Sequence, residues 1–96
     1  MVNIVSLSLA TIAAMAPIAM AANCQSQLYY CGYNLLKHGD YLDQILEALD
    51  DNHVAISGNS IKESYFFCTG GANGEIEYLR TCEACADGGE NNSDTC

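Results

Sequence analysis

Apolar residues recur at helical spacing from Leu28 onward: Leu28, Cys31, Leu35 and Leu36 fall at i, i+3, i+7 and i+8, which predicts a helix over 26–38. Lys37 and His38 suit its C-terminal dipole, and Gly39 reads as its cap. Gly32 within that face costs about 1 kcal/mol relative to Ala. Asp40 then reads as an N-cap with Asp43 in a box-like position, and Tyr41, Leu42, Ile45, Leu46 and Leu49 form the stripe of a second helix.

Beyond Asn52 the period changes. Val54 and Ile56 alternate briefly as a short strand would, and Ser57-Gly58-Asn59-Ser60 is loop chemistry. Residues 64–69 are aromatic and strand-like, 70–74 are Gly-rich and turn, and 75–81 alternate polar and apolar apart from the Leu79–Arg80 end. A hairpin register with Cys68 opposite Ile76, Phe66 opposite Tyr78 and Phe67 opposite Glu77 gives one buried face and one mixed face. From Glu83 on almost nothing is apolar, so a loop held by Cys85 and Cys96 is expected. The fold class is α+β: a small disulfide-rich domain, two short helices followed by a β-hairpin or small antiparallel meander.

The N-terminus reads differently. Residues 4–18 are an apolar run broken by Pro17, and Ala19-Met20-Ala21 is a small-x-small cleavage site. This predicts a secretory signal peptide over 1–21 and a mature domain over 22–96. The competing reading, a membrane anchor, is weakened by Ala richness and the lack of a basic flank. No membrane association is expected after cleavage.

Six cysteines, Cys24, Cys31, Cys68, Cys82, Cys85 and Cys96, then stand in a secreted chain too small for a self-sufficient core, so a disulfide framework is expected. The Cys82-x-x-Cys85 pair lacks the context of a redox dithiol and the second knuckle of a zinc site. A bond between those two would close a tight ring, so each is expected to pair elsewhere. A bridge at Cys96 would tie down an end that otherwise frays. The connectivity stays open, with a lean towards Cys31 with Cys68 because both fall on faces expected to be buried. No cofactor is expected.

Three basic residues against twelve acidic ones give a net charge of −9. That argues against nucleic-acid binding and against a basic membrane-lytic peptide. Loop 87–94 gathers Asp87, Glu90, Asn91, Asn92, Ser93 and Asp94 around two glycines, an oxygen-rich composition that suits Ca²⁺ without matching an EF-hand; the alternative is a solvated acidic loop between bridged cysteines. Asn91-Asn92-Ser93 is an N-glycosylation sequon. His38 and His53 read as a helix-end cation and a loop residue, since oxidised cysteines leave no nucleophile for either. Asp40, Asp43, Glu47, Asp50 and Asp51 read as the solvent side of the second helix rather than a glycosidase dyad. Tyr29, Tyr30, Tyr33 and Tyr41 are either a half-buried core, the favoured reading, or an aromatic binding patch.

Cys24-Gln25, Tyr30-Cys31-Gly32, Leu35-Leu36, Gly39, Tyr41, Ile45 and Leu49 occur in order, followed by Tyr65-Phe66-Phe67-Cys68, Gly74-x-Ile76, Cys82, Cys85, Asp87-Gly88-Gly89, and Ser93-Asp94 before Cys96. In this arrangement the chain resembles a family of small secreted cysteine-rich proteins, candidate effectors of filamentous ascomycete fungi. The resemblance implies a compartment and a lifestyle, and carries no catalytic residues. The expected function is therefore non-enzymatic: an extracellular, effector-like protein that binds a host or competitor molecule of unknown identity. The alternatives are an inhibitor of extracellular hydrolases, presenting a braced loop such as Gly70 to Gly74, and an antimicrobial or toxin-like protein, which the negative charge disfavours.

Overall fold

A computed structural model of the chain describes residues 23–96. The expected signal segment 1–21 lies outside the described residues. The elements are β1 (Tyr29–Cys31), α1 (Gly32–His38), α2 (Leu42–Asp51), α3 (Gly58–Glu63), β2 (Ser64–Gly70) and β3 (Glu75–Thr81). The strands form one antiparallel sheet in the order β1-β2-β3. The domain is α+β, as expected, with three disulfides.

The hairpin register matches expectation: Phe66 faces Tyr78, Phe67 faces Glu77 and Cys68 faces Ile76. The irregular Leu79–Arg80 end is a bulge, where Tyr65 pairs with Arg80 while Phe66 pairs with Tyr78. Two glycines of the turn, Gly70 and Gly71, sit at positive φ, and Gly74 does so too at +62°. A Cβ on Gly74 would overlap the Tyr41 hydroxyl, so only glycine fits there.

The first expected helix is corrected at its N-terminal half. Residues 29–31 pair with β2, Tyr29 with Phe67, Tyr30 with Phe66 and Cys31 with Tyr65, and the helix starts only at Gly32. Aromatic pairing across strands outweighed a helical stripe that Leu28 and Cys31 helped to define. Gly39 does end α1, with its N–H on the Leu35 carbonyl, but in extended rather than left-handed backbone.

α2 starts after Tyr41 rather than Asp40, without a side-chain cap. Ile45 and Leu49 are fully buried, whereas Leu42 of the expected stripe is exposed. The helix closes in a Schellman motif: Val54 N–H reaches the Leu49 carbonyl at 2.9 Å and His53 N–H the Asp50 carbonyl at 3.0 Å. His53 supplies the left-handed residue at φ +59°, and Val54 folds back onto the core instead of entering a strand.

The expected loop at Ser57–Ser60 is the start of α3. Ser57 Oγ accepts the Ser60 N–H at 3.0 Å, and Ser60 Oγ accepts the Ser57 N–H at 2.9 Å. This is a capping box with Ser in place of the usual Glu or Gln.

One face of the sheet packs on the helices through Tyr30, Leu35, Tyr41, Ile45, Leu49, Phe66 and the Cys24–Cys68 bridge. A second cluster gathers Cys31, Cys82 and Cys85 with Tyr33 and Tyr65. The bridges are Cys24–Cys68, Cys31–Cys85 and Cys82–Cys96. The lean towards Cys31 with Cys68 is thus corrected. Both are fully buried, but neighbouring residues of β1 and β2 alternate across the sheet, so Cys68 turns to the helical side with Phe66 while Cys31 turns to the other with Tyr65. Cys82 and Cys85 pair apart from each other, and Cys96 is tied down, both as expected.

Candidate functional site

β3 leaves the turn beside α2, and the two elements enclose a groove of about 590 Å³. Its floor is Ala48 from α2 with Ile76 and Tyr78 from β3, all packed against the core. Glu47 and Asp51, one helical turn apart, stand on the α2 side; Glu75 and Glu77 stand on the β3 side. Gln44 closes one end by donating to the Asn73 carbonyl at 3.3 Å. The chain's basic side chains are Lys37, Lys62 and Arg80, and none of them lines the groove. Two helical carboxylates beside an apolar floor, with Glu75 and Glu77 on the bordering strand, make an acidic surface suited to a cationic group with an apolar stem.

Asp40, Asp43, Glu47, Asp50 and Asp51 are all exposed, as expected. Glu47 and Asp51 also line the groove, whose other wall comes from the strand 75–81. Sequence reasoning missed Glu75 and Glu77 as part of this site. Their alternation on one strand was legible, but nothing in it indicated that α2 would lie alongside.

Loop 87–94 is organised from within. Asp94 is 1 % exposed, so the solvated-loop reading is corrected at this residue. Its Oδ2 accepts from Cys31 N–H at 2.8 Å and its Oδ1 from Gly88 N–H at 2.8 Å. Asn34 Nδ2 donates to both oxygens, at 3.0 and 3.2 Å. Asp87 Oδ1 accepts from Gly89 N–H at 2.9 Å and from Asn34 at 3.2 Å. These carboxylates face N–H donors, the environment of an internal anion rather than of a Ca²⁺ ligand set. Among the described residues no group of three or more His, Cys, Asp or Glu is placed to hold a metal ion. The sequon residue Asn91 is exposed at φ +64°, with its amide oxygen accepting from Gln25 Nε2 at 2.7 Å.

Two of the four tyrosines bear out the core reading. Tyr30 and Tyr41 belong to the core; the Tyr41 hydroxyl accepts the Cys24 N–H at 2.9 Å and donates to the Gly74 carbonyl at 2.6 Å. Burial raises the Tyr41 pKa above the ordinary tyrosine value. Tyr33 is half-buried and donates to the Cys85 carbonyl. Tyr29 lies on the other face, stacked on Tyr65 at 5.4 Å between centroids and tilted against Phe67 at 5.0 Å. Strand pairing, not helical spacing, assembles that aromatic row.

His38 Nε2 lies 2.9 Å from the Asn23 carbonyl and its ring meets the edge of Tyr30, while His53 serves as the turn residue that ends α2. The turn 70–74 is braced: Asn23 Nδ2 donates to the Ala72 carbonyl at 3.1 Å, alongside the Gln44 and Tyr41 bonds. Among the described residues no helix is long and apolar enough to cross a membrane.

No family model matches this chain, and no curated protein or solved structure matches it either.

Proposed function

We propose that this protein is a secreted, non-enzymatic, effector-like binding protein whose α2–β3 groove receives a cationic group on an extracellular host or competitor molecule. Three disulfides in so small a domain are compatible with an extracellular role. The likeness of its residue pattern to small secreted proteins of filamentous ascomycetes supports the same compartment. The observation that carries the binding reading is the groove itself: Glu47 and Asp51 of α2 stand beside an apolar floor, Glu75 and Glu77 belong to the strand that borders it, and no basic side chain of the chain lines it. Such a surface speeds encounter with positive partners and rejects negative ones.

The test compares the oxidised protein with a Glu47→Gln/Asp51→Asn/Glu75→Gln/Glu77→Gln variant in pull-downs from host extracellular fluid. A partner retained by the parent and lost by a variant of equal melting temperature supports the groove. Equal retention by both proteins refutes it.

The braced turn 70–74 favours a second reading, inhibition of an extracellular hydrolase by insertion of this turn into a cleft. Inhibition across a hydrolase panel, abolished by substitution of Ala72 and Asn73 but not of the groove carboxylates, would select it.

A further inference from the structure

The two edges of the sheet are finished differently. Along β1, the C-terminal segment covers the outer edge: Asp94 N–H donates to the Tyr29 carbonyl at 2.8 Å, and Tyr29 N–H donates to Ser93 Oγ at 3.0 Å. The Asp94 carboxylate takes the next donor but one, Cys31 N–H. Along β3, among the described residues, no backbone group pairs with the outer edge, because its ladder runs to β2 alone. Every second residue of an edge strand turns its N–H and C=O outward, a ready template for another strand. That open edge borders the acidic groove.

We infer that the β3 edge receives an extended, basic segment of a partner protein by strand addition, with Lys or Arg at alternate positions. This rests on the groove reading above and names the chemistry of its occupant. The open backbone groups call for a polypeptide rather than a polyamine or a sugar, since only a peptide supplies alternating donors and acceptors along a line. The charge calls for a basic one. Side chains of an added strand alternate between faces. Those turned towards α2 meet Glu47 and Asp51 over the Ile76–Tyr78 floor, and those turned away meet Glu77, which pairs with Phe67 on the other face. Residues on one face of a strand repeat about every 6.8 Å, close to the roughly 6 Å rise between Glu47 and Asp51 at i and i+4. A second copy of this chain is a poor occupant, because pairing two β3 edges brings Glu75 and Glu77 of each copy together within a net charge of −9 per chain.

The experiment titrates the oxidised protein with a heptapeptide of alternating Lys and Val, followed by amide chemical shifts and fluorescence anisotropy. Two N-methylated versions block one or the other edge of the peptide, and an alternating Glu and Val peptide serves as the charge control. Strand addition predicts shifts along 75–81, loss of binding when one edge is methylated, and near-parental binding when the other is. Glu47→Gln/Asp51→Asn should weaken the peptide about tenfold and flatten its salt dependence. If both methylated peptides bind equally and the double variant still weakens them, the groove attracts cations by charge alone: strand addition is wrong and the broader binding reading survives. If neither the Lys peptide nor spermine shifts any groove residue, both fail. Self-association of the protein alone through the same amides also overturns the inference.

Discussion

The carboxylate of Asp94 accepts the backbone N–H of Cys31 at 2.8 Å, across 63 positions of sequence. Together with Gly88 N–H and Asn34 Nδ2, this one side chain joins the start of α1, the sheet edge and the C-terminal loop. Asp94→Ala should cost about 3 kcal/mol, because several buried donors lose their acceptor at once. Asp94→Asn, isosteric but uncharged, should cost less. Thermal melting of the two variants checks the order, and an Ala variant as stable as the parent removes this organising role.

Gly32 occupies the first turn of α1 where it crosses α3. A Cβ there would overlap the Ile61 carbonyl oxygen. Helix propensity alone makes Gly32→Ala stabilising by up to about 1 kcal/mol. Packing reverses the sign, since separating two backbones costs about 1–3 kcal/mol. Denaturant unfolding should show a lower midpoint for Gly32→Ala, and a raised midpoint contradicts the close approach.

His53 holds a left-handed conformation at φ +59° to close α2. Glycine takes that conformation without the steric cost of a Cβ. His53→Gly should therefore stabilise the domain by roughly 1 kcal/mol, whereas His53→Val, β-branched at positive φ, should destabilise it. A rise in Tm for the first and a fall for the second is the expected pair of results.

The bridges differ in span, with sequence separations of 44 for Cys24–Cys68, 54 for Cys31–Cys85 and 14 for Cys82–Cys96. By loop entropy the two long bridges stabilise by about 4 kcal/mol each and the short one by about 3. Replacing Cys82 and Cys96 by Ser should be the mildest of the three double substitutions, and full reduction should unfold the domain. Melting curves at about pH 5 and pH 7, with and without reductant, test this. A reduced form melting within a few degrees of the oxidised one shows that the core is self-sufficient.

Tyr33, Tyr41 and Tyr65 all have pKa values raised above the ordinary tyrosine value, with burial the leading cause in each and the negative charge of Asp94 adding to it at Tyr33 and Tyr65. A raised folded-state pKa means that the folded protein keeps these protons longer than the unfolded chain does. Their contribution to stability is therefore full below about pH 10, the unfolded value, and is lost as pH rises through the folded values. Alkaline difference absorbance should show tyrosinate appearing in step with unfolding. Tyr41→Phe, which removes the buried hydroxyl, should reduce the steepness of the alkaline loss.

The sequence by itself determined the α+β class, the hairpin register and the presence of bridges. Those follow from local alternation, helical periodicity and a core too small for the chain, and each is set by residues near one another or by composition. The Leu79–Arg80 break even marked the bulge. Tertiary structure decided what depends on distant partners. Tyr29 to Cys31 became a strand because Phe67, Phe66 and Tyr65 lay opposite. Cys31 turned from Cys68 to Cys85 because strand alternation put them on different faces. Asp94, one acid among twelve in the sequence, became a buried acceptor because two N–H groups and an amide closed around it. Glu47 and Asp51 came to line one groove with Ile76 and Tyr78 only once α2 lay along β3. Helical spacing gives the face a residue occupies, but which element packs beside that face is set by the assembled core.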